Sequence, residues 1–158
     1  MEFPKRIYTA EEVHRAAELV EKGYKHSLRA YGSREFVKRA EKALELVRAA
    51  GYYDFLRAYI RSIVKIDGIS QLREADAAIW VNEYVLQNLV DAASLFIEKA
   101  NKMKEYLEGN FYSGGVAEGR SVDKRVEFLK ALRRKSEKQE IREECEKLIR
   151  SWTETVFL

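Results

Sequence analysis

Between Gly68 and Gly109 the chain carries neither glycine nor proline. Leu72, Ile79, Leu86, Ala93, Ala100 and Leu107 recur there every seven residues. Ala75, Asn82, Leu89, Phe96 and Met103 fill a second position three residues on, the heptad signature of a packed helix. At about 1.5 Å per residue the spacing predicts a helix over about 71–108, roughly 57 Å long. Ala78, Val85, Val90, Ala92 and Ile97 widen the apolar stripe beyond a two-stranded seam, as for the central helix of a bundle. A compact domain of this length is only roughly 35–40 Å across. The rod therefore calls for different helices over its two halves and a homodimer contact, with a break near Asp91–Ser94 as the alternative. The candidate contact residues are Phe96, Met103 and Leu107, together with Val156, Phe157 and Leu158, an apolar end that needs cover.

The rest of the chain extends the same expectation. Its one proline, Pro4, precedes every plausible element, so nothing in the interior forbids long helices. Ala, Leu, Glu, Lys and Arg, the strong helix formers, dominate. Thr9 and Glu12 make a capping box for a helix over 10–30 that stops near Gly32, with a break possible at Gly23. Ser33 caps a second helix carrying Phe36, Val37, Ala40, Ala43, Leu44 and Val47 at helical spacing. Gly51 sits where a left-handed terminal residue belongs. A third helix follows from Tyr52 through Val64. Val122, Val126, Leu129 and Leu132 mark a further helix, and Ile141, Cys145, Leu148, Ile149 and Trp152 the last. The fold class read from this is all-α: a single domain, 1–158, with five to six helices bundled around the long one.

Composition excludes several functions. With 46% hydrophobic residues the chain can bury a core. Its net charge is only +3 despite 35% charged residues, so bulk charge argues for neither nucleic acid nor a membrane surface. Residues 70–109 are net acidic between two basic segments, as expected if they pack together. The single cysteine, Cys145, rules out an internal disulfide and points to a reducing compartment. MEFPKRIYTAEE lacks the apolar core of a signal peptide, and the longest apolar run, 77–81, is too short to span a bilayer. The expectation is a cytoplasmic protein with no membrane role. Few Asn, Gln, Met and Cys beside heavy charge give a thermophile-like balance.

GNFYSGGVAEGRS, 109–121, holds four of the eight glycines. A Walker loop needs Gly-x4-Gly-Lys-Ser/Thr after a strand. Here Gly114 and Gly119 are followed by Arg120–Ser121 and preceded by helix. The stretch reads as a join that ends the long helix at Gly109, with Gly115 and Gly119 spaced to let two helices approach. Gly119 and Arg120 remain a candidate anion-binding pair.

No catalytic constellation emerges. Glu11 and His14 are half of one di-iron motif, and His26 lacks a glutamate three residues before it. No metal or cofactor is expected. Cys145 lies among Glu143, Glu144 and Glu146, which raise a thiol pKa. Were there an enzyme here, a cleft lined by Glu83, Asp91 and His14 would be its place. Arg57, Arg61 and Lys65 make a basic stripe at i, i+4, i+8, with Tyr52 and Tyr53 nearby. The stripe can pair with Asp76 and Glu83 across a helical hairpin, or contact a nucleic-acid backbone while the tyrosines stack on bases. The functional expectation is a non-catalytic helical-bundle interaction or scaffold protein, homodimeric or bound to another protein. The alternative is a small accessory subunit binding RNA or DNA through that basic helix face.

Overall fold

The computed structural model describes residues 2–110 and 114–155. It contains a sheet, and the all-α bundle is thereby corrected. In chain order the elements are α1 (Ala10–Glu21), β1 (Arg29–Tyr31), α2 (Arg34–Ala49), α3 (Tyr53–Tyr59), β2 (Ser62–Ile66), β3 (Gln71–Arg73), β4 (Ala78–Asn82), α4 (Leu89–Leu107), α5 (Gly115–Lys135) and α6 (Gln139–Thr155). Single 3-10 turns, Glu74–Asp76 and Glu83–Gln87, flank β4. The strand order is β1-β2-β4-β3. β1, β2 and β4 run parallel, and β3 runs antiparallel to β4.

The supposed rod over 71–108 is thus two strands, two turns and one true helix, α4. Its heptad rhythm has two origins. Leu72 and Ile79 are cross-strand partners in the β3–β4 pair, so their seven-residue separation is the span of a hairpin. Ala93, Ala100 and Leu107 follow on α4 as genuine helical repeats, all buried. A short fully apolar run such as Ala77–Val81 suits a buried strand as well as a buried helix turn, and periodicity alone does not separate them. Ile63, Val64, Ile79, Trp80 and Val81 are the β-branched and aromatic residues that favour the pleated surface. For the same reason the third helix ends at Tyr59 and its expected continuation is β2. Likewise α1 ends at Glu21, and Gly23, at φ 94°, turns the chain toward β1.

Several local signals operate as the sequence indicates. Thr9 and Glu12 form the reciprocal capping box of α1, and Ser33 Oγ accepts from the Phe36 amide to cap α2. Gly51 (φ 81°) and Gly109 (φ 78°) close α2 and α4 in the left-handed region. Helix resumes at Gly115, but a Cβ built on Gly115 or Gly119 meets nothing within 4 Å. No close helix approach uses those glycines among the described residues.

Phe36, Leu44 and Val47 of α2, Leu56 of α3, Ile63, Ile79 and Val81 of the sheet and Phe96, Ile97 and Met103 of α4 share one core with Phe128, Leu129 and Leu132 of α5. α2 packs against β1 and α4 against β3, and each of the other helices packs on α4. The chain before α1 is tied across the start of the strands. Arg61, just ahead of β2, donates to the carbonyls of Pro4, Lys5 and Asp76.

Candidate functional site

Side chains alternate across a strand, so paired residues share a face of the sheet. Ala30, Ile63, Ile79 and Leu72 form one row pointing into the core. The adjacent rows point the other way. One is Tyr31–Val64–Trp80–Gln71, and beside it runs Arg29–Ser62–Ala78–Arg73, with Ile66 paired to Asn82 beyond. Val64, Ile66 and Trp80 lie outside the hydrophobic core and outside the residues packed against it. Tyr31 is 53% exposed. Sheets of parallel strands are as a rule covered on both faces. Here three parallel strands present an apolar and aromatic row that no described helix covers.

The chemistry of this face is specific. Arg73 is the diagonal neighbour of Trp80, and its guanidinium carbon stands 4.2 Å from the indole centroid. Arg29 is exposed at the opposite edge of the same row. The paired rows contain two arginines, Ser62, Gln71 and Asn82, and no carboxylate. The nearest acidic groups in sequence, Asp67, Glu74 and Glu83, lie past the strand ends. The arrangement offers flat rings for stacking and flanking cations for an anionic backbone.

The residues singled out by sequence are scattered. Arg57 is on α3, where its Nε donates to Asp54 at 2.9 Å. Arg61 is occupied by backbone carbonyls at the base of the sheet. Lys65 is on β2, 3.6 Å from Glu83. The three do not form one helix face. Tyr52 Oη donates to Glu127 at 2.6 Å, and its ring stands edge-on to buried Phe128. Burial and that carboxylate push its pKa up. Tyr53 lies between Arg48 and Arg57, at 4.1 and 5.6 Å. Arg120 Nε donates to Glu105 at 3.0 Å, and Gly119 lies beyond the first turn of α5, inside the helical ladder. Phe96 and Met103 are fully buried in this chain and Leu107 nearly so, on the core side of α4. Val156, Phe157 and Leu158 lie outside the described residues.

A second polar feature runs through the interior. Asp91, Ser94, Glu98, Asn101 and Glu105 follow one stripe of α4, and α5 answers with Arg120 and Arg125. Arg125 is 4% exposed. It donates to Glu98 at 2.6 Å, Ser94 at 2.8 Å and Asp91 at 2.7 Å, and packs 4.3 Å from the Trp152 ring. Burial alone would raise the pKa of Glu98, but Arg125, Lys99 and Lys102 outweigh it and hold the carboxyl low. The charges at its centre are matched, and the stripe joins α4 to α5.

Two buried titratable groups stand elsewhere. His26 is 2% exposed, ringed by Phe3 and Tyr24, and its Nε2 has no hydrogen-bond partner among the described residues. Burial and then the Arg61 charge bring its pKa down to about 4. Cys145 is fully buried, and burial pushes its thiol up to about 11, the opposite of an activated nucleophile. No three potential metal ligands cluster among the described residues. None of the described helices is long and apolar enough to cross a membrane.

Comparison with known proteins returned no matching family model, no matching curated protein and no matching solved structure.

Tyr31, Trp80, Arg29 and Arg73 are the residues that reading the chain as helix conceals. The signal that points to Trp80 is the pair of short β-branched runs, IVKI at 63–66 and AIWVN at 78–82, with Asp67–Gly68 as a turn after the first.

Proposed function

We propose that this is a non-catalytic protein that binds single-stranded nucleic acid on the outer face of its sheet. The observation that carries the reading is the Tyr31–Val64–Trp80–Gln71 row, uncovered by any described helix and flanked by Arg29 and Arg73. Unstacked bases present a π-face to aromatic rings, and arginines track the phosphates between them. A duplex hides its bases from such a surface. The basic stripe of Arg57, Arg61 and Lys65 is not needed, since these cations are spread over separate elements. With one cysteine, deeply buried, we place the protein in a reducing compartment, the cytoplasm.

The test is fluorescence anisotropy of a labelled single-stranded RNA, a single-stranded DNA and a duplex, each across a salt series. The expected result is binding to single strands that weakens with salt. Trp80→Ala should cost about 10-fold or more, because a base–aromatic stack is worth roughly 1–3 kcal/mol. Absence of binding at low salt, or binding indifferent to Trp80→Ala and Tyr31→Ala, would sink the reading.

The same apolar row favours one other occupant, a second copy of this chain. Sedimentation velocity separates the two. A dimer that Trp80→Glu returns to monomer would assign the face to self-association in place of nucleic acid.

A further inference from the structure

We infer that Arg73 is a lid on Trp80, occupying in the free protein the place that a bound base takes. The inference rests on the nucleic-acid reading of the sheet face and adds the order of events on it.

Arg73 stands on β3 opposite Ala78, two residues along β4 from Trp80 on the same face. Its guanidinium carbon is 4.2 Å from the indole centroid, the separation of a stacked planar cation. Two other arginines near the sheet are held by acceptors, while Arg29 at the far edge is exposed. Arg6 faces Asp76 at 3.6 Å, and Arg61 holds three carbonyls. Arg73 has no carboxylate or carbonyl partner among the described residues, so the indole is what positions it. Trp80 is accordingly half-buried although no described helix lies over it.

A base cannot stack on the same face of the indole while the guanidinium is there. A base stacks on an indole more strongly than an exposed guanidinium does, so displacing Arg73 gives back only part of what the base gains from Trp80. The balance tips further when the displaced guanidinium finds a phosphate of the strand whose base has replaced it. One residue then has two states: stacked on Trp80 when the face is empty, and paired with backbone when it is filled. Short apolar or aromatic ligands without phosphate meet the lid and gain less from moving it, since the displaced guanidinium finds no anion. A nucleic-acid strand supplies both the ring and the anion.

Two measurements test this. The first needs no nucleic acid. The chain has two tryptophans, so Trp152→Phe leaves Trp80 as the sole indole reporter. In that background Arg73→Ala and Arg73→Gln should each raise acrylamide quenching of Trp80 at least 1.5-fold in the free protein. Quenching that stays unchanged in both variants, with circular dichroism intact, overturns the lid. The second is the salt series with labelled single-stranded RNA. Arg73→Ala should reduce the slope of log K against log salt by about one phosphate's worth. It should also raise affinity at high salt, where stacking dominates, by two- to ten-fold, so that its line crosses that of the parent protein. Arg29→Ala should reduce the slope alone. If Arg73→Ala lowers affinity by the same factor at every salt, Arg73 is a stacking platform and the lid is wrong while the binding face stands. If the parent protein fails to bind at all, the binding face falls, and the lid with it.

Discussion

Arg125 on α5 and Glu98 on α4, both more than nine-tenths buried, meet at 2.6 Å at the centre of the joint between these two helices. A buried pair of this kind contributes little over an apolar replacement, yet losing one partner strands the other. Arg125→Met should therefore destabilise by roughly 3 kcal/mol, because Asp91 loses its ion-pair partner and Glu98 keeps only the longer contacts to Lys99 and Lys102, at 3.4 and 3.8 Å. Glu98→Leu with Arg125→Met should recover most of that loss. Urea titration followed by circular dichroism reads both, and a double variant no better than the single would show that the pair, not the stranded charge, supplies the stability.

The buried histidine gives the fold an acid sensitivity. His26 has its pKa brought down to about 4, against 6.5 for an ordinary histidine. Between those values the unfolded chain holds the extra proton, so stability rises with pH there. The contribution is intact above pH 6.5, falls as the pH drops toward 4 and levels off below it. Its full size is roughly 3 kcal/mol. His26→Phe should flatten the stability profile between pH 6.5 and 4. A profile as steep in the variant as in the parent protein would place the sensitivity elsewhere.

Gly32 is required by packing. A Cβ at that position would stand 2.8 Å from Lys65 Cβ on β2 and 2.8 Å from the buried Phe36 ring. Neither neighbour is the free end of a flexible side chain. Gly32→Ala should cost roughly 1–3 kcal/mol in thermal or urea unfolding, the usual range for overpacking. Gly119→Ala, with open space around the added methyl, should stabilise slightly by removing a glycine from a helix. Equal effects at the two positions would contradict the packing argument.

Cys145 should be inert while the protein is folded. Its thiol is raised to about 11 by burial, assisted by Glu144 and Glu146. Thiolate is the reactive form, so alkylation by iodoacetamide at pH 7.5 should track global unfolding and accelerate in urea only as structure is lost. Rapid labelling under native conditions would reveal local opening of α6.

What the sequence made legible was the local grammar of the helices. The capping box at Thr9, the Ser33 cap and the stops at Gly51 and Gly109 are each decided within a few residues. The strands were hidden because their evidence is non-local. Leu72 and Ile79 imitate a heptad only because a hairpin folds them opposite each other. The expected hairpin of Arg61 with Asp76 and Arg57 with Glu83 assumed antiparallel neighbours. Parallel pairing of β2 with β4 instead brings Lys65 to Glu83 and sets Arg61 against the Asp76 carbonyl. The sheet face suffered most, since Tyr31, Trp80 and Arg73 come together only when three separate segments pair. The polar stripe of α4 was visible as a pattern, but its partner Arg125 lies on a later helix that no spacing rule links to it.

The two outermost strands, β1 and β3, are each only three residues long. A free strand edge invites lateral addition of another chain, the first step toward fibrous aggregates, and brevity is one of the ways natural sheets discourage it. An open sheet face bounded by such stubs can receive a ligand from above while giving a neighbouring chain little to hold at the side. A binding face of the kind proposed could therefore stay open without the chain becoming a template for its own polymerisation.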